Sequence, residues 1–136
     1  MNDRSDFKTE RKELLDRLWS FYDLKVLALA EKHGVLAALF AEPRTAASLA
    51  GACKITERGA RTLLVCLTAL GLVTREGDVF SVTQRARDHF DPGSPTSLLS
   101  SVEWAHTQFE ALSRIDEALQ RDVVVWDGFG HYIKGE

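Results

Sequence analysis

Between Thr45 and Phe90 the chain carries start and stop signals in an order that few folds accept. Thr45 can cap a short helix over Ala46 to Ala52, with Ser48 standing in for the Glu of a full capping box. Lys54-Ile55 makes a turn, and Thr56 can cap a second helix. In that helix Ala60, Leu63, Leu64, Leu67 and Leu70 share one apolar face, and Gly71 ends it. Two short β-rich runs follow, Leu72 to Arg75 and Val79 to Val82, joined through Glu76-Gly77-Asp78. A Gly beside acidic residues between such runs signals a hairpin. Thr83 then caps a brief helix through Phe90. Helix, turn, helix and hairpin in this order predict a mainly α fold, a winged helix-turn-helix with a two-stranded β wing.

Longer helices flank this unit. Leu14, Leu15, Leu18, Trp19 and Tyr22 lie on one face of a 3.6-residue period. From Leu24 to Ala30 almost no polar face remains, which predicts burial on all sides, in a core or against a second subunit. Gly34 stands where a C-terminal cap is wanted, and a short helix from Val35 to Phe40 stops at Pro43. After the linker Asp91-Pro92-Gly93-Ser94-Pro95, Ser94 as cap and Pro95 at the first helical position predict one long helix to about Asp122. The division is therefore residues 1–90, helices plus winged unit, and residues 91–136, linker, long helix and tail. The tail after Asp122 has no clear period.

Composition narrows the function. The chain has 136 residues, a net charge of -3 and 45% hydrophobic residues, enough for one domain with a core. No apolar run reaches the roughly 20 residues of a membrane span, because Lys25, Glu31 and Lys32 interrupt the longest one. The polar first ten residues do not read as a secretory signal. Cys53 and Cys66 make neither a disulfide framework nor a zinc motif, so a cytoplasmic setting is expected. His33, His89, His106 and His131 are scattered without metal-ligand spacing. No phosphate loop, nucleophile setting or paired carboxylates occur, so no catalytic residue and no metal ligand is assigned. A winged helix also suggests a DNA-binding regulator, with Arg58 and Arg61 on the recognition helix and Arg75 on the wing. Residues 45–90, however, hold six basic and four acidic side chains, and a net of +2 is thin for neutralising several phosphates. The charge balance therefore favours reading those arginines as a solvated face or as pairs with nearby acids.

The run from Gly34 to Leu99 resembles the N-terminal dimerisation domain of the S-adenosylmethionine-dependent O-methyltransferases, the group of plant caffeate and bacterial polyketide and carotenoid methyltransferases. The resemblance rests on Gly34-Val35 before a short helix, Pro43-Arg44-Thr45, Ala69-Leu70-Gly71-Leu72, the wing Thr74 to Asp78, and Asp91-Pro92 with Ser94-Pro95. It implies a homodimer in which the winged unit packs on a partner subunit and the helix after the linker covers a substrate pocket. Trp104 and Phe109, with His106 between them, are then candidates to line the mouth of a pocket for a flat aromatic or polyketide-like acceptor, with Phe21 or Tyr22 of the other subunit completing its wall. S-adenosylmethionine is implied for the full-length enzymes, and no cofactor-binding residue is assigned here. The family's glycine-rich cofactor loop and its His base have no counterpart. The one G-x-G, Gly128 and Gly130, has no strand before it and no helix after it. The chain then reads as part of such an enzyme, or as a stand-alone relative that works with a separate methyltransferase chain or without activity.

Overall fold

A computed structural model describes residues 3–121. The glycine pair at 128 and 130, His131 and the aromatic tail lie outside the described residues. Helix α1 (Asp3–Trp19) leads through Ser20 into α2 (Phe21–Lys32) and α3 (Val35–Ala41). Strand β1 (Arg44–Thr45), α4 (Ala46–Cys53), α5 (Glu57–Ala69), β2 (Val73–Glu76), β3 (Val79–Val82) and α6 (Gln84–Phe90) form the winged unit. α7 (Leu99–Leu112) and α8 (Ile115–Arg121) are the last elements among the described residues.

The punctuation acts as the residues dictate. The Ser48, Gly59 and Ala86 backbone N–H groups donate to the hydroxyls of Thr45, Thr56 and Thr83, at 3.2, 3.0 and 3.2 Å. Each satisfies one of the orphan donors that open a helix. Ser48 does not complete a reciprocal box: its hydroxyl accepts from Arg44 Nη1 at 3.1 Å. Gly71 (φ 74°) closes α5 with the Leu72 N–H donating to the Leu67 carbonyl, a six-to-one bond that needs a left-handed residue. Thr83 then ties wing to helix, its hydroxyl donating to the Gly71 carbonyl at 2.7 Å. Lys54 takes the same left-handed conformation at the end of α4 (φ 54°) without being glycine.

The wing has three strands, not two. β3 lies in the centre, antiparallel to β2 (Val73 opposite Val82) and to β1 (Arg44 opposite Phe80). The short β1 was hidden because Thr45 serves both as its last residue and as the cap of α4. Phe80 and Val82 point inward onto a core whose largest fully buried side chains are Leu36, Leu39, Leu49, Leu64 and Leu67.

Two other expectations are corrected. The long helix does not begin at Ser94-Pro95 or run unbroken. Ser94 accepts from the Thr96 N–H in a local turn, α7 starts only at Leu99, and Ser113-Arg114 separates it from α8. Ser94 and Thr96 satisfy each other two residues apart, and such local bonds compete with a helix start. Nor is Leu24–Ala30 buried on all sides: Ala28 and Ala30 are buried, whereas Leu24, Val26, Leu27 and Leu29 are half-buried in the single chain.

Candidate functional site

α2 and α7 pack side by side and leave an open groove between them, next to the candidate residues. It encloses about 450 Å³ and is lined by Lys25, Ala28, Leu29, Glu31, Lys32, Val102, Glu103, His106, Thr107 and Glu110. Lys25 Nζ lies 2.8 Å from His106 Nε2, and Glu110 Oε1 is 3.8 Å from the amine and 3.6 Å from the ring nitrogen. An ammonium has only donors, so Nε2 is the acceptor in this bond and the ring proton sits on Nδ1. The arrangement is not a nucleophile–base–carboxylate relay. Such a relay needs the carboxylate on the other ring nitrogen, and here both partners meet Nε2.

Beside the groove stands an aromatic face. Phe21 and Tyr22 open α2 with ring centroids 4.4 Å apart, Trp19 stacks on Tyr22 at 5.8 Å, and Phe109 stacks on Phe21 at 6.2 Å. Trp19 and Tyr22 remain more than half exposed. Apolar side chains continue on the last turns of α1 with Leu18, Leu15 and Leu14, while Phe7 stands apart, beyond Glu10 and Arg11. Every described side chain of α1 is exposed.

Of the five candidate residues, the structure brings Phe21, Tyr22 and Phe109 together, with His106 one turn away in the groove. It does not bring Trp104 to them. At about 100° per residue Trp104 lies roughly 160° around α7 from His106, and it is 58% exposed. Phe21 meets Phe109 of its own chain. The sequence reading missed Trp19 as a stacking partner, and Lys25 and Glu110 altogether. Lys25 was the signal, a lone cation within an apolar helical run, and Glu110 follows His106 at the i,i+4 spacing that places two side chains on one face.

On the winged face two of the three named arginines, Arg61 and Arg75, have partners on the chain itself. Arg61 pairs with Glu57, while Arg75 pairs with Asp78 at 3.5 Å, donates to the Gly77 carbonyl at 2.6 Å and lies over the Phe80 ring. These two arginines are thus paired with neighbouring acids on the protein's own surface. Among the described residues no three His, Cys, Asp or Glu side chains gather to hold a metal ion. No helix among them is long and apolar enough to cross a membrane. The three strands are all antiparallel, so the described residues form no parallel β-α-β unit with a glycine turn.

No protein-family model matches the chain. It is 31% identical over 110 residues to the tetracenomycin polyketide synthesis 8-O-methyl transferase TcmO of Streptomyces glaucescens, an alignment covering 79% of this chain and 32% of that relative. Among solved structures, an O-methyltransferase family protein from Burkholderia thailandensis superposes with a TM-score of 0.69 at 26% identity, over 82% of this chain and 33% of its own. Human N-acetylserotonin methyltransferase, solved in complex with SAM, shares the fold at a TM-score of 0.69 and 24% identity, over 82% of this chain and 34% of its own. The chain spans about a third of the length of these relatives.

Proposed function

We propose, for a chain that is homologous to about a third of the small-molecule O-methyltransferases, that it is the dimerisation and substrate-lid part of such an enzyme. Residues 1–90 are the dimerising unit in this reading, and residues 91–136 lead toward the catalytic part. S-adenosylmethionine is used by the complete enzyme, in a cytoplasmic, secondary-metabolic setting. The observation that carries the proposal is the cluster of exposed apolar side chains at the end of α1, Leu14, Leu15, Leu18 and Trp19. A soluble single chain rarely leaves such a cluster uncovered, because apolar area in water costs about 25 cal/mol per Å². A second copy of the chain covers it.

Phe21, Tyr22 and Phe109 form one wall for a flat aromatic or polyketide-like acceptor, with His106 at its edge. Offset rings gain about 0.5–1.5 kcal/mol beyond their buried area, which suits a planar acceptor. Trp104, on the opposite face of α7, belongs to the acceptor site only through a neighbouring subunit or the remainder of the enzyme. Light scattering of the chain at micromolar concentration is expected to give twice the 15.2 kDa chain mass. A soluble monomer at high concentration overturns the dimer. Calorimetry with S-adenosylmethionine is expected to show no micromolar binding to this chain alone.

A further inference from the structure

We infer that the Lys25–His106 hydrogen bond is a latch that seats α7 on α2, and that α7 is a strap able to swing open about the 91–98 linker. The inference goes beyond the acceptor reading and does not depend on what the aromatic face receives. α7 is anchored at its start, where Leu99 and Val102 are buried and the Leu98 N–H donates to the His89 carbonyl at 2.8 Å. Beyond Val102 none of its side chains is buried, and every described side chain of α8 is exposed. Two side-chain ties to α2 stand out along the outer part of α7: the Lys25–His106 bond at 2.8 Å and the Phe21–Phe109 stack. Of the charged groups lining the groove, Glu110 lies 3.8 Å from Lys25, an ion pair without a hydrogen bond.

A helix whose outer part buries no side chain, and whose ties to α2 there are one charge-assisted bond and one ring stack, has an open position within reach. Opening unstacks Phe109 from Phe21, so the latch controls whether the aromatic wall is assembled.

Hydrogen exchange of the 136-residue chain tests this, because it reads the opening of α7 separately from the core. His106→Leu keeps apolar bulk and removes the acceptor, while His106→Gln keeps an acceptor of similar reach. The latch predicts that His106→Leu speeds exchange over residues 103–112 about tenfold, with α5 amides unchanged, and that His106→Gln stays near wild type. Lys25→Met, at a half-exposed position, should reproduce the leucine variant from the α2 side and remains informative if His106→Leu unfolds. If His106→Leu protects α7 as well as wild type, or if Gln loses protection while Leu keeps it, the residue packs rather than latches and the inference fails. Unchanged exchange in Lys25→Met overturns it as well.

Discussion

Threonine hydroxyls at three helix starts carry much of the local definition of the winged unit. Thr56→Ala is expected to destabilise it by about 1 kcal/mol, the usual worth of such a cap, read as a lower urea midpoint at constant slope. Lys54 offers the opposite sign. Its left-handed backbone costs an L-residue about 1–2 kcal/mol, and glycine's extra freedom when unfolded takes back about 0.4–1. Lys54→Gly is therefore expected to raise stability slightly, checked by the same urea titration. Burial pushes the Cys53 thiol above its ordinary range, and nearby Arg44 only partly offsets this. Because the thiolate is the reacting species, native Cys53 should alkylate more slowly at neutral pH than it does in the denatured chain. A labelling time course followed by peptide mass spectrometry measures this. The caps were legible in sequence because their partners lie three residues away. The left-handed Lys54 was not, since no side-chain signal marks it, and the Lys25–His106 bond was not, since it joins residues that only the packing of α2 on α7 brings together.

At the scale of elements, the sequence reading succeeded where periodicity and a stop signal agreed. α5 begins at its threonine cap, and its five predicted core positions are buried or half-buried. Leu64, with no exposed surface, sits at the centre of that face, and Leu64→Ala is expected to cost about 2–5 kcal/mol in chemical denaturation. The reading failed at α7, where Ser-Pro imitates a helix start but the Ser94 and Thr96 hydroxyls bond locally. It also ran α1 into α2 without a break. Ser20, whose hydroxyl donates to the Arg17 carbonyl at 2.8 Å, separates them. The consequence for the candidate site is direct. α7 sets Trp104 and Phe109 on different sides, about 140° apart around the helix, so they do not share one wall.

For the whole molecule, the proposed dimer predicts a separation of roles. Leu18→Asp, at a position 66% exposed, is expected to shift light scattering toward the monomer while leaving the helical circular dichroism of the chain near wild type. A dimer that survives the substitution moves the interface away from α1. A last consequence follows from the short β1 strand, and it concerns speed rather than stability. Pairing residue 44 with residue 80 closes a loop that contains α4, α5 and β2, so this small ladder cannot form until the helices between its strands are nearly in place. Thr45→Gly, at the joint of β1 and α4, should then accelerate unfolding much more than it slows refolding, a φ-value near zero in stopped-flow measurements. The hairpin of β2 and β3 closes locally through Gly77 and can form early, which leaves β1 as the strand that locks the winged unit after the rest has assembled.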